Sequence, residues 1–239
     1  LKGTVDNFTG ISRHARSKRA RQNQRMILGP WFHGPTTANH TRYGDFDFGP
    51  DAGVDFNKIR LPWFDYWLKG IDNSVNVGPP VQYYTMGASR WQTAGTWPLP
   101  DTSNLALYFS PGRSGSADSL NDGRLSEDLP SGTRGADRYI YNPSDPVRAH
   151  GGAMIGYPWH GPEYEAFCGP FDERPVEGRC LTYTGESLER DLEVTGPVSA
   201  MLFASSSVPD TDWVVRLSDV SPDGSARPVA EGILRARYR

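Results

Sequence analysis

The stretch Arg25-Met-Ile-Leu-Gly-Pro-Trp-Phe-His-Gly34 decides how this chain is read. Met26 to Leu28 is an apolar run of the length of a short buried strand, and Gly29-Pro30 breaks it. His33 follows on the loop, with Gly34-Pro35 behind it. Among His14, His33, His40, His150 and His160, it alone follows a strand-like run and has Gly and Pro on both sides. An imidazole titrates near neutrality, so it can take a proton from a hydroxyl and return it to a leaving group. A lone loop histidine is more often structural. The residues therefore nominate His33 as a general base and leave the structural alternative standing.

Upstream, Leu1, Val5 and Phe8 have helical spacing, which predicts a helix from Leu1 to roughly Arg21. The basic run Arg13, Arg16, Lys18, Arg19, Arg21 and Arg25 reads as a solvated helix end, since cations are favoured near helix C-termini. Downstream, residues 35–54 form a loop rich in Gly, Asp, Thr and aromatics. A second helix is expected after it, with Asp55 as N-cap and Phe56, Ile59, Trp63, Phe64, Trp67 and Leu68 on one face. Lys69-Gly70 closes it. Pro62 either starts that helix or kinks it.

Beyond Pro79-Pro80 the texture changes to short runs between turn signals: Val81–Met86, Leu105–Ser110, Arg138–Tyr141, Leu181–Thr184, Val198–Ser205, Trp213–Val220 and Ile233–Tyr238. Pro222-Asp223-Gly224 between two of them predicts a hairpin turn. Strands with no helical period between them predict an antiparallel β-sandwich. The polar stretch from Pro111 to Asp137 is expected as a surface loop. The domain boundary falls near Gly78-Pro79-Pro80, giving domains 1–78 and 79–239.

Composition bounds the function. The 239 residues can enclose a real core, and 26 Gly with 20 Pro favour turns joining strands over a helical bundle. A net charge of -3 gives no electrostatic reason to expect nucleic acid or an anionic membrane as partner. No apolar run reaches the ~18 residues of a membrane span. Compartment and oligomeric state are not legible. Cys168 and Cys180 supply neither a disulfide framework nor a four-ligand zinc site, and are expected as unpaired small residues. His33, His40, Asp45 and Asp47 are a conceivable ligand set, but their spacing matches no metal motif, so no metal and no cofactor is expected.

The nucleophile is missing. Gly-x-Ser-x-Gly occurs nowhere, and Gly87-Ala-Ser-Arg-Trp91 fails at Trp91. Asp6 is better read as a surface helix carboxylate than as an acid orienting the histidine. The sequons at Asn7 and Asn39 carry no weight.

Gly29-Pro30-Trp31-Phe32-His33-Gly34 resembles the catalytic-histidine motif of the cocaine-esterase-like hydrolases, relatives of the X-Pro dipeptidyl-peptidases and the α-amino-acid ester hydrolases. Leu61-Pro-Trp-Phe-Asp-Tyr-Trp-Leu-Lys-Gly70 is similar to the helix after that histidine. Pro79-Pro-Val81 through Met86-Gly87, with Trp91 and Trp97-Pro98, resembles the entry to the family's C-terminal domain. Tyr141-Asn-Pro-Ser-Asp-Pro-Val147, Gly151-Gly152, Gly169-Pro-Phe-Asp-Glu-Arg-Pro175, Val194-Thr-Gly-Pro197, Asp210-Thr-Asp212 and Asp223-Gly224 through Gly232-Ile-Leu-Arg235 continue the match in order.

The resemblance implies a mixed fold: the C-terminal remnant of an α/β-hydrolase domain, then a mainly-β jelly-roll (galactose-binding-like) sandwich, truncated at both ends. It implies a serine hydrolase of esters or amides, with an N-terminal X-Pro dipeptide bond as one option and a small molecule or peptide as substrate. Only His33 carries over. The family's aspartate would fall just upstream of Leu1 and its serine further upstream, so the chain alone is expected to be inactive. Leu1 is apolar where the amino-acid ester hydrolases place an acid, which disfavours that subfamily. Met154 and Ile155, after Gly151-Gly152-Ala153, resemble a loop that approaches the acyl site; they are candidates for substrate contact, with core packing as the alternative. A rival function is a non-catalytic sandwich binding carbohydrate or peptide through Tyr157, Trp159 and Tyr164. The segment before Gly78 has no purpose in such a module.

Overall fold

The computed structural model describes residues 1–31, 39–131, 135–148, 150–152 and 169–238. The chain divides into two compact units: Leu1–Thr102 with Ala153–Gly169, and Ser103–Gly152 with Pro170–Arg239. Packing thus carries the first unit past Gly78, because the strands after Pro80 pair with the strand before the histidine loop.

The first unit is built on a three-stranded sheet in the order β1-β4-β5. Strand β1 (Met26–Leu28) runs parallel to β4 (Val81–Thr85), with Met26 opposite Val81 and Leu28 opposite Tyr83. β4 turns back antiparallel into β5 (Arg90–Ala94), with Tyr84 opposite Trp91. Successive strand residues face opposite sides of a sheet. Val81 and Tyr83 therefore join Phe8 and Met26 in one core, while Tyr84 joins Tyr43, Phe48 and Ala52 in another. Helix α1 (Lys2–His14) covers the first face through Phe8 and half-buried Val5. An aromatic loop covers the second.

The expected single N-terminal helix is two. α1 ends at Ala15, whose ψ of 140° is extended, and α2 (Lys18–Gln22) restarts on Ser17, whose Oγ accepts from the Ala20 amide. Arg21 Nη1 donates to the Ala15 carbonyl at 2.5 Å. That contact places one cation of the basic run at a helix C-terminus, as read from the sequence.

Helix α3 (Phe56–Lys69) starts on Asp55, whose carboxylate accepts from the Asn57 amide at 2.9 Å, and ends on left-handed Gly70. It runs through Pro62 instead of starting there, so the Lys58 carbonyl forgoes its helical donor. Phe64 and Leu68 correct the expected apolar face. Both are exposed, whereas Phe56, Ile59, Trp63, Tyr66 and Trp67 are half-buried along a neighbouring stripe.

In the second unit, β6 (Tyr108–Ser110) is antiparallel to β7 (Asn121–Ser126), and β7 is parallel to β10 (Leu181–Thr184). The two-residue strands β8 (Gly151–Gly152) and β9 (Gly169–Pro170), the latter starting on the last residue of the first unit, precede β10 in the chain. A long ribbon pairs β11 (Asp212–Val220) with β12 (Ala226–Arg235), with an irregularity at Leu217/Ser218. The turn between them is the expected hairpin: Gly224 has φ +82°, and the Asp223 carboxylate accepts from the Ser225 amide. An all-antiparallel arrangement is contradicted by the parallel β7–β10 pair. Residues 138–141 and 198–205 form no strand, and Ile140 and Phe203 are 94% and 98% exposed. β7 lies inside the stretch expected as a loop. The described fold is mixed, mainly β with few helices.

Candidate functional site

His33 lies within residues 32–38, outside the described residues, as do Met154, Ile155, Tyr157, Trp159, Tyr164 and Cys168. What is described is the anchorage on either side of the histidine segment. β1 ends at Leu28, and Gly29 must be glycine because a Cβ there would stand 2.4 Å from the Trp31 ring. The Trp31 indole N–H donates to the Ala52 carbonyl at 2.7 Å. Its ring meets Phe56 edge-on at 5.1 Å and Trp91 at 5.6 Å.

The chain is described again at Asn39, and there it lies against the residue next to Ala52. A Cβ on Gly53 would stand 2.9 Å from the Asn39 carbonyl oxygen. Trp31 and Asn39, the described residues flanking segment 32–38, thus both lie against one short turn, the 3-10 turn Pro50–Ala52 continued by Gly53. The same turn is gripped from β5: the Trp91 indole N–H donates to the Asp51 carbonyl at 2.8 Å. Asp51 and Ala52 therefore each hold one indole, those of Trp91 and Trp31 respectively, and Gly53 lies closely against Asn39.

The sequence builds this turn locally. Strands β2 (Arg42–Tyr43) and β3 (Phe46–Asp47) form a two-residue ribbon, and the Asp47 carboxylate accepts from the Gly49 amide at 2.9 Å. Gly49, at φ +86°, lets Pro50 start the turn, where a missing N–H costs nothing. Beneath it the Tyr84 hydroxyl donates to the Phe48 carbonyl at 2.6 Å. Burial pushes the Tyr84 phenol up from its ordinary value and Tyr43 up to about 12, so both keep their protons across the physiological range. Gly169, where description resumes after the segment carrying Met154 and Ile155, backs onto this ribbon. A Cβ on it would stand 2.4 Å from the Gly44 nitrogen.

Other sequence candidates are occupied elsewhere. His40 stacks on Tyr43 at 6.2 Å, and Asp47 serves Gly49. Among the described residues no three of His, Cys, Asp and Glu come together to hold a metal ion. Asp6 pairs with Lys2 on the exposed side of α1. Cys180 is a free thiol whose Sγ donates to the Val176 carbonyl at 3.4 Å. A cleft of about 310 Å³ between α2 and α3, lined by Arg19, Asn23, Trp63 and Trp67, lies apart from the 50–53 turn.

Sequence reasoning missed the turn, Tyr84 and Trp91. Pro50 behind Gly49 was the available signal for the turn. Nothing in the spacing linked Trp91 to it.

Known proteins extend this picture. The chain is 38% identical over 244 residues to cocaine esterase of Rhodococcus sp. (strain MB1 Bresler), a match covering 99% of this chain and 40% of that protein. The structure superposes with a TM-score of 0.70 on an aminopeptidase from a marine sediment archaeon, Thaumarchaeota archaeon, at 28% identity over 90% of this chain and 35% of that one. A selenomethionine-labelled α-amino acid ester hydrolase gives the same TM-score of 0.70 at 25% identity, over 98% of this chain and 38% of that one. The chain spans about two fifths of these relatives' length. A profile of the X-Pro dipeptidyl-peptidase C-terminal non-catalytic domain matches residues 73–239. The chain belongs to the X-Pro dipeptidyl-peptidase C-terminal, cocaine-esterase-like family.

Proposed function

We propose that this chain carries the general base, His33, of a serine hydrolase that cleaves an ester or amide bond in a small molecule or peptide, an N-terminal X-Pro dipeptide bond being one option. β1, β4 and α1 are then the end of an α/β-hydrolase domain, and residues 79–239 belong mainly to a jelly-roll sandwich. A serine hydroxyl attacks the acyl carbonyl while His33 takes its proton; the imidazolium then protonates the leaving group. Water repeats the cycle against the acyl-enzyme, again through His33. An aspartate orients the imidazole, and backbone N–H groups receive the oxyanion. Serine, aspartate and oxyanion donors are to be sought in the rest of a protein of the relatives' length. Met154 and Ile155 are the proposed substrate contacts from this chain.

The observation that carries the proposal is that the described residues on either side of segment 32–38 lie against one turn: Trp31 donates to the Ala52 carbonyl, and the Asn39 carbonyl lies close to Gly53. Relatives named as an esterase, an aminopeptidase and an ester hydrolase support the reaction class. In the full-length protein carrying this chain, His33→Ala should lower kcat/KM for an activated ester by at least ~10³-fold. Turnover within tenfold of wild type would remove His33 from the mechanism.

A further inference from the structure

We infer that the cleft where α1 and α2 face residues 95–97 is a binding site for a small organic anion, a carboxylate or phosphate monoester carried on a flat apolar body. The first observation is the charge pattern. The chain as a whole is acidic, at -3, yet between Asp6 and Asp45 it has no Asp or Glu and seven Lys or Arg. Residues 80–97, which supply the facing wall, carry no acid either. A cation run without interspersed acids is more than a solvated helix end needs.

The second observation is the shape beside that run. A cleft of about 340 Å³ opens there, within the first unit, at the small end of the roughly 300–1,000 Å³ of ligand sites. Phe8 and Trp97 give it an apolar floor. Both belong to the packing around Met26 and Val81, and the Tyr83 ring meets Trp97 edge-on at 6.0 Å, so the floor is in place before a ligand arrives. Ser12, Arg13, Arg21 and Gln22 supply polar lining, and among the described residues no carboxylate lines the cleft. Arg21 spends Nη1 on the carbonyls of Ala15, at 2.5 Å, and Arg16, at 3.2 Å, which fixes its guanidinium and leaves the donors on Nε and Nη2. Arg13 has no hydrogen bond or ion pair among the described residues. A guanidinium matches carboxylate and phosphate alike, and the aromatic floor takes the apolar body. The cleft therefore offers both halves of the recognition to one molecule.

The test uses the full-length protein carrying this chain, with phenyl phosphate and benzoate as the two probes. Binding is read by calorimetric titration, and Arg13 by phenylglyoxal modification followed by peptide mass spectrometry. At least one probe should bind one-to-one and protect Arg13; which of them binds more tightly separates phosphate from carboxylate as the source. Arg13→Gln should weaken that binding about tenfold or more, the worth of a hydrogen bond to a charged group. Arg16→Gln, which removes a cation of the same run outside the cleft, should leave it within about twofold. Inorganic phosphate and benzyl alcohol each supply half of the chemistry and should bind at least about tenfold more weakly. Equal losses in the two arginine variants would reduce the site to diffuse charge and overturn the inference. Absence of binding, or binding that leaves Arg13 unprotected, overturns it as well. So does an Arg13 that is unreactive before any probe is added, because another part of the protein then covers the cleft.

Discussion

Asp172 shows how one carboxylate can be committed to structure in a protein whose chemistry is proposed to lie elsewhere. Arg174 donates to it at 2.6 Å, and the amides of Ala226 and Arg174 donate to its other oxygen. The Arg174 hydrogen bond first, then those amides, hold its carboxyl down at about 2, against an ordinary value of 3.8. A carboxyl whose pKa is lower folded than unfolded stabilises the fold above the unfolded value, and that stability is lost as pH falls through the folded one. Asp172→Asn should therefore lower the urea midpoint at pH 7, and the gap from wild type should close between about pH 4 and pH 2. A gap independent of pH would mean that the charge on Asp172 is not what matters. Phenols behave differently here: in Tyr84 and Tyr43 burial preserves the proton, which suits Tyr84 as a fixed donor to a backbone carbonyl.

Between elements, the main polar joint of the second unit is Arg216 on β11. It bonds Glu231 across the ribbon and Glu173, the residue that leads into the single helical turn Arg174–Glu177. The Glu173 side chain is only 9% exposed, and its Oε1 has no partner among the described residues, so Arg216 is what balances its charge. Arg216→Met should cost about 3 kcal/mol in urea unfolding, because a buried carboxylate is left unpaired. Adding Glu173→Gln should recover at least half of that loss; no recovery would show that packing, not charge, is what Arg216 supplies. The legibility of elements followed the same physics. Pro222-Asp-Gly was readable as a hairpin because Gly224 needs positive φ and Asp223 caps its own turn. β7 was not readable, since Asn121-Asp-Gly-Arg carries no apolar alternation. It is held by ladders on both sides, and Gly123 makes room for the Tyr183 ring, whose atoms a Cβ would meet at 2.4 Å. Residues 138–141 and 198–205 looked like strands from composition alone, and composition cannot say whether a partner exists.

At the scale of the whole chain, sequence family and packing draw different lines. The non-catalytic domain profile begins at residue 73, whereas packing keeps β4 and β5 with β1 through Thr102. That overlap puts Trp91 and Tyr84 in one compact unit with β1, and the Trp91 ring lies against Trp31. His33 could be singled out from its own neighbours, Gly29-Pro30 and Gly34-Pro35, and from the resemblance they carry. The support of Trp31 and Asn39 on either side could not, because Asp51, Ala52 and Gly53 act through backbone carbonyls and close approach, which leave no mark on residue identity. The measurement that bears most directly on the central claim joins kinetics to one imidazole: the pH dependence of kcat/KM in the full-length protein, set beside the NMR titration of His33. An acid limb that coincides with the His33 titration is the predicted result. A limb at one pH with His33 titrating at another would contradict its assignment as the base.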